Sequence, residues 1–176
     1  WAAPASLTAA SGPGTELAAA ADEGDEQYQY LVGLAERGLH DRAVREAESF
    51  LREHARHPKA DLARYRLATS LFALDRRTEA AEQLRRLAAL REFEFEAEVH
   101  FRLGQCELAA ERPAEAAAAF ERVLERDAEY LRLPARFFLA EARFRQGRFG
   151  DAEQGYRAVL EADARGEYAR GVRRSR

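Results

Sequence analysis

Few side chains in this 176-residue chain are of types that do covalent chemistry, and their spacing argues against it. His54 and His57 stand three apart near the end of an expected helix, a spacing two metal ligands can share. Glu53 beside them is a poor third ligand and no cysteine or further histidine is close, so a solvated polar face is expected and no metal is assigned. Cys106 is the single cysteine, which excludes an intramolecular disulfide. A nucleophilic thiol needs exposure and a neighbouring base or cation, whereas Cys106 fills a slot that the repeats otherwise give to Gly, Ser or Ala. The glycines are scattered and form no phosphate-binding loop. Acids alternate with arginines at helical spacings, as in Glu141/Arg145, which is the pattern of a solvated helix face. The expectation is a protein without catalytic residues or cofactor.

The spacing that stands out suits recognition instead. Tyr28, Tyr65, Phe101 and Phe137 recur at intervals of 37, 36 and 36 residues, aromatic in every copy. Such a column is either ordinary packing between repeats or an aromatic strip for an apolar or extended peptide segment. Thr69, Gln105, Glu141 and Arg145 fall beside it and would add polar specificity. These eight residues are the candidate partner-binding set.

The elements that must position them follow from a second column. Ala43, Ala80, Ala116 and Ala152 recur with the same period, each in a similar phrase such as Thr78-Glu79-Ala80-Ala81. A fixed period of this length marks stacked supersecondary units. Apolar residues at three- and four-residue spacing predict a pair of amphipathic helices in each unit. First helices are expected over 26–37, 60–74, 96–110 and 133–146, and second helices over 41–55, 77–90, 114–126 and 150–163. The turns within pairs centre on Gly38, Asp75, Glu111 and Gly147, and connections this short make the paired helices antiparallel. Phe93 to Phe101 alternates apolar and polar residues like a strand, but the register of four repeats favours a helix junction near Phe95.

Further columns assign the core. Leu31, Ala68, Gly104 and Ala140 are expected to face the recurring alanines, small against small, so that helix axes approach closely. Gly33, Ser70, Cys106 and Ala142 form another small column, which makes Cys106 a small buried residue. Residues 1–24 read as a flexible Ala/Gly/Ser/Pro-rich lead-in within which 14–22 could form a short helix, 25–164 as four repeats, and 165–176 as a basic tail or truncated cap.

Composition narrows the partners. Charged residues make up 34%, yet the net charge is −3, so there is no global attraction to nucleic acid or anionic membrane. Of 28 basic residues only Lys59 is a lysine, which fits a GC-rich genome. No apolar run reaches the roughly 18 residues of a membrane span. The chain opens on Trp1 and contains no Met, so a removed leader or a piece of a longer protein is expected.

A small residue after Leu in the first helix, Gly at the turn, Ala early in the second helix and an aromatic further on resemble the tetratricopeptide repeat. Leu103-Gly104, Ala116 and Phe120, then Leu139-Ala140, Gly147, Ala152 and Tyr156, carry the likeness. The resemblance implies an all-α, right-handed α-solenoid of about four repeats over residues 25–164, and a protein-binding scaffold. Co-chaperone members that grip a C-terminal carboxylate carry cations at positions matched here by the aromatic column and by Val32, Thr69, Gln105 and Glu141, so that mode is not implied. The phrase FLREHARHPKADLARYRLA, from Phe50 to Ala68, is similar to bacterial envelope members: the Tol-Pal-associated periplasmic protein and the lipoprotein of the outer-membrane barrel assembly machinery. It implies a periplasmic or outer-membrane-associated scaffold, with membrane contact through a complex. The alternatives are a cytoplasmic location, a regulatory or targeting module of a larger enzyme or signalling protein, and a self-assembling array, which leaves a homo-oligomer open.

Overall fold

The computed structural model describes residues 13–126, 128–163 and 166–174. In order they form α1 (Pro13–Glu36), α2 (His40–Glu53), α3 (Ala60–Ala73), α4 (Arg77–Ala88), α5 (Glu96–Ala109), α6 (Pro113–Leu124), α7 (Glu129–Arg145), α8 (Phe149–Ala162) and α9 (Glu167–Arg174). The fold is an all-helical solenoid: each helix packs on its neighbours in sequence. Three contacts join first helices, α1 with α3, α5 with α7 and α7 with α9, while no comparable contact joins successive second helices among the described residues. Helices on the inside of a curve come closer together, so the first helices form the inner wall.

The pairs are made alike because their turns are made alike. Gly38, Asp75, Glu111 and Gly147 all have left-handed backbone, with φ of 72°, 60°, 56° and 75°. The next residue's N–H returns to the last turn of the first helix in each copy: Leu39 to the Leu34 carbonyl (3.0 Å), Arg76 to Leu71, Arg112 to Glu107 and Arg148 to Arg143 (each 2.9 Å). This six-to-one bond satisfies a carbonyl that the helix end orphans. Two of the four positions use a residue other than glycine and carry the steric cost of its Cβ.

The recurring alanines are all fully sequestered, as are Leu31, Ala68 and Ala140. The reason for smallness differs from the expected alanine contact at one position. A Cβ on Gly104 would lie 2.6 Å from Phe120 Cζ, so the glycine makes room for a ring on the second helix. A Cβ on Gly155 would lie 2.8 Å from the Ala140 Cβ, a small pair in the fourth repeat.

Helix bounds depart from expectation at three places. α1 begins at Pro13, so residues 13–24, expected as lead-in, continue the first helix; residues 1–12 lie outside the described residues. α7 begins at Glu129 and carries Pro134 as its sixth residue, so the Tyr130 carbonyl lacks the N–H that a helix would normally return to it. In the C-terminal stretch α9 docks on α7 and α8, burying Val172 completely and setting Gly171 against the Phe137 ring. Residues 93–95 are not helical, and α5 starts at Glu96. Phe93 and Phe95 pack against Tyr65 of α3, Phe95 stacking on it at 4.6 Å and 6°.

Candidate functional site

The first helices deliver one residue of each register position to the inner wall per repeat. Thr69, Gln105 and Glu141 hold one such position on α3, α5 and α7, and all three are half-buried. The Thr69 hydroxyl donates to the Arg66 carbonyl (3.1 Å). No hydrogen bond engages the Gln105 amide among the described residues. Glu141 accepts from the Tyr156 hydroxyl (2.9 Å) and from Arg145 Nε (3.0 Å), and Arg145 also donates to the Leu108 carbonyl at the end of α5 (3.2 Å). Glu141 and Arg145 are therefore tied into a network that joins the last two repeats, and Gln105 is the uncommitted group.

The aromatic column does not lie as one open strip. Tyr28 and Tyr65 are each only 8% exposed. Tyr28 packs on Phe50 and under Lys59 Nζ, and Tyr65 is covered by Phe93 and Phe95; burial pushes the Tyr65 hydroxyl pKa up. Phe101 and Phe137 are half-buried. Phe101 meets Phe120 and Phe138 edge-on at 5.8 and 5.7 Å, while Phe137 meets Phe138, Tyr156 and Tyr168. The rings thus make packing contacts between helices, and Phe101 and Phe137 stay partly open to solvent. The C-terminal end of the column borders a cavity of about 570 Å³ between α7 and α9, lined by Phe137, Phe138, Tyr168 and Arg170. Phe138 and Tyr168 were not singled out from sequence; Phe138 sits one residue beyond the column, and Tyr168 lies in the stretch expected to be a tail.

The groups considered for chemistry are used structurally. Cys106 is buried, and burial pushes its thiol up to about 11, far from the thiolate a nucleophile needs. His54 and His57 both pack on Phe50, with ring centroids at 5.2 and 5.4 Å. His57 Nδ1 accepts the Lys59 N–H (3.1 Å) and Nε2 lies 3.6 Å from Asp25, so the pair anchors α1 to the α2–α3 connection. No group of three or more metal-ligating side chains is assembled among the described residues, and no described helix is long and apolar enough to cross a membrane. Glu107 is the one fully sheltered carboxylate among the described residues. It takes Arg85 from α4 (2.7 Å) and Arg112 from the α5–α6 turn (2.5 Å), and so clamps two repeats.

Two models described as tetratricopeptide repeat match the chain, over residues 65–130 and 107–174. No curated protein matches it. Among solved structures it is similar to MamA from Desulfovibrio magneticus RS-1, at 16% identity and a TM-score of 0.72, covering 86% of this chain and 82% of that one. It is also similar to YrrB, described as a TPR protein with an unusual peptide-binding site, at 18% identity and a TM-score of 0.66 over 78% and 68% of the two chains. A putative kinesin light chain of Podosopora anserina with nearly identical TPR-like repeats gives 22% identity and a TM-score of 0.63 over 82% and 76%. At these identities the likeness is one of fold. The two family models together span residues 65–174, and the same capped helical pair recurs ahead of them at Gly38: the chain belongs to the tetratricopeptide-repeat family.

Proposed function

We propose that the protein is a non-catalytic scaffold that docks an extended or helical segment of a protein partner along the wall of its first helices. One observation carries this reading: a half-buried polar register position, Thr69, Gln105 and Glu141, recurs on the first helices, with the half-buried rings of Phe101 and Phe137 one turn before its last two members. That combination offers apolar contact with hydrogen-bonding groups at the spacing of the repeats. The description of YrrB as having a peptide-binding site supports the same use of the fold. Because Tyr28 and Tyr65 are sheltered, the rings that touch a partner are Phe101 and Phe137 with Phe138, at the C-terminal half of the wall. A displayed peptide library selected on the purified protein tests this. Selected segments should lose binding with Gln105→Arg or Arg145→Ala and keep it with Arg157→Ala on α8. Loss only with the α8 change would overturn the reading.

We further propose that the partner belongs to a bacterial envelope complex, on the likeness of the Phe50–Ala68 phrase to envelope members of the family. Fractionation of the source cells tests it: recovery with periplasm or outer membrane is expected, and recovery with the cytoplasm would overturn it.

A further inference from the structure

Burying a guanidinium partway costs solvation that a carboxylate usually returns. Six arginines are half-buried among the described residues: Arg64, Arg66, Arg77, Arg102, Arg132 and Arg143. Four reach an acid, Arg64 with Asp61 (4.0 Å), Arg77 with Asp75 (2.7 Å), Arg132 with Glu129 (3.1 Å) and Arg143 with Glu121 (3.0 Å). Arg66 and Arg102 do not. They occupy the same register position, 36 residues apart, on the first helices α3 and α5.

Their surroundings show why no acid among the described residues serves them. Arg66 has Ala63, Thr69 and Ser70 at helical spacing, none acidic, and its Nε is sheltered without any hydrogen-bond partner. Arg102 has Glu98 one turn earlier, but that carboxylate takes the Tyr130 hydroxyl. The Arg102 guanidinium instead rests 5.1 Å from the Phe72 ring centroid, a neutral partner. Arg77 lies over the same Phe72 ring at 4.1 Å but is held by Asp75. The other acids of the wall are engaged too, Glu141 by Arg145 and Tyr156.

We infer that Arg66 and Arg102 are the charge-reading positions of the inner wall and that the docked segment is acidic, presenting side-chain carboxylates to them. The inference rests on the docking proposed above and adds the chemistry of the partner. With a net charge of −3 the chain attracts acids nowhere in general, so recognition here is local. Neighbouring helix axes lie at least about 8–10 Å apart, and an extended chain advances about 3.3–3.6 Å per residue. The two carboxylates therefore stand at least about three residues apart in the segment.

The probe is a capped Glu-Ser-Ser repeat peptide, which has no free terminal carboxylate, measured against the same peptide with glutamine by fluorescence anisotropy. Charge-assisted hydrogen bonds set the expected size: the glutamate peptide should bind at least about tenfold tighter, weaken with salt, and lose about tenfold with Arg66→Gln or Arg102→Gln. Arg157→Gln should leave it unchanged. If a glutamine variant fails to fold, Arg66→Lys and Arg102→Lys report instead, keeping the charge while losing the fork. Charge reversal with Arg102→Glu should transfer binding to the Lys-Ser-Ser peptide. Equal binding of glutamate and glutamine peptides, or of wild type and arginine variants, would overturn the inference. Glutamine peptides that dock equally well on this wall would leave the docking proposal standing, whereas library-selected segments docking on the second helices would remove the docking proposal itself.

Discussion

Two helical glycines on first helices should respond in opposite directions to the same methyl group. A Cβ added at Gly33 meets nothing within 4 Å, whereas one added at Gly104 would lie 2.6, 2.7 and 2.9 Å from three atoms of the Phe120 ring. Replacing glycine by alanine inside a helix gains about 0.5–1 kcal/mol from backbone entropy alone. Gly33→Ala should collect that gain and raise Tm by about 1–4 °C at this chain length. Gly104→Ala collects it too, but forces a fully buried ring to move, and overpacking costs about 1–3 kcal/mol. The net expectation is a loss of about 1–2 kcal/mol. The second repeat shows the relief, because there Ala68 is matched by Leu84, both fully buried. Combining Gly104→Ala with Phe120→Leu copies that pair, so the double-mutant cycle should show a favourable coupling of about 1–2 kcal/mol. Urea unfolding followed by circular dichroism measures the four variants against the parent chain. Gly104→Ala stabilising the chain as much as Gly33→Ala would refute the reasoning, as would additive single changes.

Asp75→Gly and Glu111→Gly should each stabilise by about 0.5–1 kcal/mol, since their φ values of 60° and 56° are left-handed; a lower thermal midpoint in both would contradict this. Glu107→Ala should cost about 1–3 kcal/mol in urea unfolding by freeing Arg85 and Arg112 from their shared carboxylate, and Arg112→Ala alone should cost less. Burial holds the His100 imidazole below its ordinary 6.5, with Arg122 and Arg126 acting in the same direction. The unfolded chain therefore binds a proton that the folded one resists, so this contribution is present above about pH 6.5 and is lost as pH falls below it. His100→Gln should flatten the fall of the urea midpoint in that window, and an unchanged profile would assign the fall to other groups.

The solenoid was legible because each repeat restates the same physical solution. The turn centres Gly38, Asp75, Glu111 and Gly147 lie where the period places them, although two of them are residues that the left-handed region disfavours. What the period could not carry were features made once. Phe93 and Phe95 break the register between α4 and α5 and cover Tyr65, so an aromatic column equivalent in sequence is unequal in exposure. α9 lies beyond the last full helix pair, and Val172 and Gly171 seat it against that pair. Gly104 fitted the small column, but its reason, the bulk of Phe120, is visible only across the helix pair. The site was read less fully for a related cause. Columns show which residues are equivalent but not whether a partner lies within reach, and that is what separates Arg66 and Arg102 from the four half-buried arginines that find an acid.

The central claim is that the wall of first helices is the docking face. Backbone chemical-shift mapping with a library-selected segment tests it most directly, because it reports each helix separately. The account predicts shifts concentrated on α3, α5 and α7 around Thr69, Gln105 and Glu141, with α4, α6 and α8 nearly unmoved. Shifts concentrated on α4, α6 and α8 would contradict it.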